Sequence, residues 1–204
     1  MKKIDFKKEM KHLYNTSTKI PEIVDVPQMN FLMINGEGDP NISERFKSSV
    51  EALFGLSYTL KFMIKKSNMQ IDYGVMPLEG LWWADDMTAF SMNKKELYKW
   101  TAMIMQPEFV TKDLFIEARG HLMKKKANAV LQDVILDSFL EGKAAQIKHI
   151  GPFSEEGPTI EKLHKFIESN GYKLSGKHHE IYLSDIRRSA PEKWKTIIRQ
   201  PMKG

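Results

Sequence analysis

The chain has no cysteine. That excludes disulfides, thiolate metal ligands and cysteine nucleophiles together. It also lacks any apolar run approaching the roughly 20 residues that a membrane helix needs, so no membrane is expected among its partners. The first residues, Met1-Lys2-Lys3-Ile4-Asp5-Phe6-Lys7-Lys8-Glu9, carry neither the apolar core nor the small-residue cleavage site of a secretory signal, and the expected address is the cytoplasm. Charge of one sign is in short supply: 31 Lys and Arg against 26 Asp and Glu leave +5, spread along the chain. The densest basic pieces are Lys124-Lys125-Lys126 and Arg187-Arg188 with Lys193, Lys195 and Arg199. Without interleaved aromatics or a recognisable nucleic-acid module they read as solvated faces, not as a phosphate footprint. The histidines lack metal-ligand spacing. His178 and His179 are adjacent and would face opposite ways on a strand, while His121, His149 and His164 are isolated. No metal and no cofactor are expected, and no strand-turn-helix elbow supports a serine nucleophile.

What is present is ordinary for a globular protein: 204 residues, 42% hydrophobic and 28% charged, enough for one medium domain or two small ones with a real core. Residues 1–20 read as a lysine-rich arm or short helix. Residues 20–27 are extended, because each of Pro21 and Pro27 biases its predecessor away from helix. Residues 30–40 form a buried strand ending in a glycine-rich turn, which has neither Walker nor dinucleotide-binding spacing. A long helix is predicted over 42–65, started by Asn41 or Ser43, with an apolar stripe of Phe46, Val50, Leu53, Phe54, Ser57, Tyr58 and Phe62. Residues 71–83 read as a strand interrupted at Pro77 and Gly80, and Thr88-Ala89-Phe90-Ser91-Met92 as its hairpin partner. Residues 94–105 and 111–126 are predicted as a helical hairpin, with Thr111 capping the second helix. Strand, helix and strand then return over 140–153, 158–170 and 178–185. Two such halves about 110 residues apart suggest a duplicated α+β fold: one antiparallel sheet, helices on one face, and a ligand groove on the other face under the inserted hairpin.

The most informative stretch is His178-His179-Glu180-Ile181-Tyr182-Leu183-Ser184-Asp185. Its period-two alternation predicts a strand with Ile181 and Leu183 in a core and Glu180 and Tyr182 side by side on the other face. A carboxylate and a phenol there are either a surface pair or the polar wall of a pocket.

This stretch, with Gly151-Pro152-Phe153 and Ala190-Pro191-Glu192-Lys193-Trp194-Lys195-Thr196-Ile197-Ile198-Arg199-Gln200-Pro201, resembles the GyrI-like small-molecule-binding superfamily. Pro77-Leu78-Glu79-Gly80-Leu81-Trp82-Trp83 and the insert resemble its stand-alone branch, and the likeness covers about residues 20–202. The resemblance implies one GyrI-like domain over 1–204: an arm (1–20), a first half (21–92), a helical insert (93–131) and a second half with tail (132–204). The halves would be duplicated strand-helix-strand-strand modules of the SHS2 type around a central groove. Regulators of the superfamily meet cationic aromatic drugs with a strand carboxylate that Glu180 matches. No helix-turn-helix module is read ahead of the domain, so the regulator version does not fit. Stand-alone members similar to this chain are described as cyclopropanoid hydrolases, which open the strained ring of DNA-alkylating products of the yatakemycin and CC-1065 type in an aromatic cage.

Adding water to such a ring requires a base for the water, a donor for the carbonyl oxygen as it gains charge, and a stack to hold the plane. Glu180 is the expected base, its pKa raised by burial. Tyr182, Tyr58 and Tyr73 are candidate donors or ligand contacts, and Trp82, Trp83 and Trp100 the flat faces. Adjacent tryptophans on a strand point to opposite sides, so one of Trp82 and Trp83 is expected at the ligand. Thirteen methionines suit an adaptable lining. The expected partner is an aromatic small molecule. The reading of another class is a non-catalytic module that binds or senses aromatic, often cationic compounds; a third is a protein-interaction role like that of the gyrase inhibitor.

Overall fold

Alternating strand and helix periods resolve into an α+β fold with antiparallel pairing as its main theme. The computed structural model describes residues 1–86, 94–125 and 128–204. The expected strand at 88–92 lies outside the described residues. Two compact units emerge: unit 1 holds residues 1–6, 29–76 and 83–139, and unit 2 holds residues 7–28, 77–82 and 140–204. No helix among the described residues is long and apolar enough to cross a membrane.

In unit 1 the arm begins as β1 (Lys2–Ile4), paired in parallel with β4 (Ile71–Tyr73). Strand β3 (Met29–Glu37) is central, between β6 (Lys99–Gln106) and β7 (Ile135–Phe139), both antiparallel to it. The long helix α3 (Glu44–Lys66) begins at Ser43, whose hydroxyl accepts the Phe46 N–H at 3.1 Å, the cap that a β-region serine supplies. Its buried stripe is Ser49, Ala52, Leu53, Leu56, Ser57, Leu60 and Ile64. The predicted stripe is therefore rotated. Small residues let the helix approach its neighbours, and Tyr58 and Phe62 are left 48% and 49% exposed. The second insert helix, α4 (Lys112–Lys125), forms as expected, with the Thr111 hydroxyl accepting the Leu114 N–H at 3.3 Å.

The first insert helix does not exist. Within 94–105 only Lys95–Leu97 makes a helical turn, and Lys99–Gln106 is β6. From Trp100 to Gln106 every residue is buried, so both strand faces are covered and the period-two signal is lost. Trp100 is fully enclosed, edge-on to Phe46 at 4.9 Å, and lies over Gly36. A Cβ on Gly36 would stand 2.1 Å from the indole, which is why this turn-flanking position is glycine.

In unit 2 the rest of the arm makes most of α1 (Phe6–Glu9) and all of α2 (Lys11–Tyr14), followed by β2 (Glu22–Val26). A sheet runs β2–β8–β11–β10–β5, with β5 Leu78–Trp83, β8 Gly142–Ile150, β10 His178–Tyr182 and β11 Lys195–Lys203, all antiparallel. The short β9 (Lys173–Leu174) joins the end of β11. Helix α5 (Gly157–Ser169) starts with Pro158 in its first turn, where no N–H is missed, and Gly171 follows its end at φ 80°. Leu163 and Ile167 of α5 pack on Ala145, Ile147, Ile198 and Met202 of the sheet. Strand, helix, strand, strand thus occurs twice in the element order, as β3-α3-β5-β6 with β4 interposed, and as β8-α5-β10-β11 with β9 interposed.

The other face of the unit 2 sheet carries ions. His179 lies between two buried carboxylates, Nε2 3.0 Å from Glu79 and Nδ1 2.9 Å from Glu141. Arg199 donates to Glu141 at 3.1 Å, to Gln146 at 3.0 and 2.9 Å, and to the Leu13 carbonyl at 2.8 Å. Tyr14 donates to Glu79 at 2.8 Å, and Gln146 to the His12 carbonyl at 2.7 Å, so α2 closes the network. Burial by itself would lower the His179 pKa. The Glu141 and Glu79 carboxylates outweigh it and raise His179 from 6.5 to about 9. Burial likewise opposes ionisation of Glu141, and His179 and Arg199 prevail, holding it at about 2 against 4.5.

His179 therefore contributes stability that is full below about pH 6.5 and lost as pH rises through about 9. Glu141 contributes stability present above about pH 4.5 and lost as pH falls through about 2. His179→Ala leaves two buried carboxylates without the cation they share. It is expected to cost about 3–5 kcal/mol in urea denaturation near neutrality, with the gap to wild type closing as pH rises through about 9.

Candidate functional site

Residues directly opposite one another on antiparallel strands share a face. Glu180 is opposite Gly80 on β5 and Ile198 on β11, His178 is opposite Trp82, and Tyr182 is opposite Thr196, itself opposite His149 on β8. The expected alternation holds within β10, where Ile181 is in the core and Glu180 and Tyr182 point the other way, but Leu183, expected in the core, lies past the strand and is partly exposed. Their face is not the expected one. Ile198 packs under α5, so in unit 2 Glu180 and Tyr182 lie on the helix-bearing face, near the start of α5. The opposite face is filled by the His179 network.

Around Glu180 the hydrogen bonds converge. The Tyr182 hydroxyl donates to Glu180 Oε2 at 2.7 Å, and the Trp82 indole N–H donates to the Tyr182 oxygen at 3.1 Å. His178 Nε2 stands 3.1 Å from Glu180 Oε1. Gly80 makes this closeness feasible, since a Cβ there would stand 2.7 Å from Trp82 Nε1 and 3.1 Å from the Tyr182 oxygen. Beside the cluster, Phe153 sits edge-on to Tyr182 at 5.5 Å and tilted on Trp194 at 4.9 Å. The Trp194 indole donates to the Ser189 carbonyl at 2.8 Å. The Glu180 side chain keeps 16% of its surface in contact with solvent, and Phe153 is 37% exposed. The result is a carboxylate on a largely buried side chain with aromatic rings at its side.

Glu156 is the residue that sequence reading missed. It occupies the position before α5, yet its side chain makes no capping hydrogen bond. It is 3% exposed, and its carboxyl lies within hydrogen-bonding reach of Glu180. Burial, and then the Glu180 charge, push its pKa up to about 9. Burial would raise Glu180 as well, but hydrogen bonds from His178, Tyr182 and Glu156 hold it below its ordinary value. The expected raised pKa is therefore found on the neighbour: one proton between two carboxyls goes to the group with fewer donors. Burial and the Glu180 charge push the Tyr182 phenol well up. In sequence, Glu155-Glu156-Gly157-Pro158 reads only as a helix start, and nothing there points to a strand some two dozen residues later.

Of the other expected contacts, Tyr58, Tyr73, Trp83 and Trp100 belong to unit 1 and Trp82 to unit 2. Tyr58 is half-exposed on α3 and stacked with Phe62 at 6.5 Å. Tyr73 is buried, edge-on to Phe6 at 6.4 Å and to Phe109 at 5.5 Å, so it is a core ring and not an open ligand contact. Trp100 is likewise core, for the packing reason given above. Trp82 is nearly buried beside Tyr182, and Trp83, next along β5, is partly exposed. Among the described residues no three His, Asp or Glu side chains gather as a metal site.

The model of the GyrI-like small molecule binding domain matches residues 20–203. The chain belongs to this family. A solved hydrolase from Listeria innocua is 40% identical with a TM-score of 0.86, over 98% of this chain and 100% of that one. A second Listeria innocua hydrolase structure is 41% identical with a TM-score of 0.88, over 99% and 100%. The C-terminal domain of EcmrR, at 14% identity and a TM-score of 0.55 over 90% of this chain and 97% of that one, shares the fold. A comparison with curated proteins finds no match. In this GyrI-like chain the hydrogen bonds from Trp82 to Tyr182 to Glu180 form one unit. Tyr182→Phe is expected to cost about 1–3 kcal/mol in chemical denaturation, because two buried partners lose their mate, and to raise the pKa of Glu180 as followed by carboxyl NMR.

Proposed function

We propose that this protein is a cofactor-independent hydrolase that adds water to the strained cyclopropane of flat, aromatic DNA-alkylating natural products of the yatakemycin and CC-1065 type, protecting the cytoplasm from them. The observation that carries the reading is an ionised Glu180 held by Tyr182 and His178 beside Trp82 and Phe153. The Listeria innocua relatives named as hydrolases support the reaction class. In this reading Glu180 takes a proton from water as the oxygen attacks the ring carbon. The ring C–C bond breaks, and its electron pair passes through the conjugated system to the carbonyl oxygen, towards which Tyr182 turns its O–H. Trp82 steers Tyr182, and the partly exposed Phe153 ring is the candidate for stacking on the planar substrate. A second reading, a binding or sensing module without turnover, draws on the same carboxylate, because an ionised group among aromatic faces also suits an organic cation.

The two readings part on turnover. Incubation with a CC-1065-type alkylator is expected to give a product heavier by one water in mass spectrometry. Glu180→Gln is expected to lower the rate by about 10²–10⁴-fold while the compound still binds. Tight binding with no water gained by wild type would leave the binding module.

A further inference from the structure

Among the described residues, half of the buried side-chain atoms without a hydrogen-bond partner gather on the α5 face of unit 2. They are Glu156 Oε1, Thr196 Oγ1, His149 Nε2 and His164 Nε2; the rest are scattered over Thr16, Tyr73, Trp100 and Gln106. Unsatisfied buried polar atoms are costly and collect where function holds them. Glu156 is the carboxyl among them, and its contact with Glu180 puts two acids side by side in a low-dielectric setting. Two carboxylates in contact do not both ionise.

We propose that Glu156 is a positioning residue that shares a single proton with Glu180, so that the two carboxyls work as one acid–base pair in the hydrolysis proposed above. Glu156 does not touch the substrate; it acts through Glu180. The resting pair carries one proton, held on Glu156, and presents an ionised Glu180. The pair gains a second proton as water's oxygen bonds to carbon and the ring C–C bond breaks, and it returns that proton to the oxygen of the opened system. Atoms balance as the addition of one water.

The groups that face Glu156 fit this role. Glu180 and Tyr182 of β10 and Thr196 of β11 act on it directly; His178 stands 3.1 Å from Glu180, and His149 of β8, opposite Thr196, has its Nδ1 3.0 Å from the Thr159 hydroxyl. Glu155 precedes it, beside Gly151 and the His149 ring, and His164 follows on α5, within electrostatic reach of His178. Burial and the Glu180 charge keep Glu156 protonated up to about pH 9.

The test compares wild type with Glu156→Gln, which keeps a donor to Glu180 but cannot ionise, and with Glu156→Ala, which keeps neither. Wild-type kcat/KM is expected to fall as pH rises through about 9, because a second negative charge then faces Glu180. In Glu156→Gln that alkaline fall is expected to disappear, with kcat/KM at neutral pH lowered less than in Glu156→Ala, where it drops by about 10²-fold or more. His179 titrates in the same range from the other face. Folding is therefore followed by circular dichroism at each pH, and only the fall seen in folded protein counts. An unchanged alkaline fall in Glu156→Gln would overturn the proposal and leave the hydrolase reading intact. Infrared spectroscopy of the same proteins needs no substrate. A buried protonated carboxyl at neutral pH that is lost in Glu156→Gln supports the shared proton even if no hydrolysis is found, and its absence from wild type overturns it.

Discussion

His179 and Glu180 are joined by one peptide bond and project to opposite faces of a strand that is hydrogen-bonded on both sides. The pleat leaves no choice: with β5 and β11 fixing the register of β10, a slip of one residue would exchange the two side chains. On one side such a slip would break the imidazole away from Glu79 and Glu141 and leave two buried carboxylates facing each other. On the other it would remove the carboxylate that meets Tyr182, His178 and Glu156. The ionic network thus anchors the register on which the candidate site depends.

The two faces use the same residue types for different ends. Under α2 every charge has a partner and the side chains of His179, Glu79, Glu141 and Arg199 are almost wholly enclosed, so the chemistry is silent and the contribution is to stability. Near the start of α5 the balance is deliberately incomplete. The Glu180 side chain keeps a small part of its surface open, and a second carboxyl has an unpartnered oxygen. Unsatisfied polarity of that kind is what separates a working site from a structural ion pair.

The aromatic residues show why composition is a weak guide to a cage. Trp100 and Tyr73 are large and flat, as a stacking ligand requires, but rings of that size are also the best fillers of a core. Trp100 fits over Gly36 against Phe46, and Tyr73 lies between Phe6 and Phe109. Phe153, by contrast, opens a short 3-10 turn just before α5, and only the fold brings it against Tyr182 and Trp194.

Local physics was legible in the sequence wherever one face of an element met water. The alternation of β10, the Ser43 and Thr111 caps, the extents of α3, α4 and α5 and the strand over 30–37 all follow from short-range periodicity and capping chemistry, and the motif around Glu180 carried the family. Tertiary structure decided what short-range signals do not encode. A strand covered on both faces loses its period, so β6 read as helix. The face that receives α5 depends on strand order, so Glu180 was expected on the wrong side. Whether Glu180 or its neighbour holds the proton depends on a carboxyl brought from the start of α5. Periodicity reports on the few residues nearest in the chain, whereas burial, electrostatic coupling and strand order arise between segments that only folding brings together.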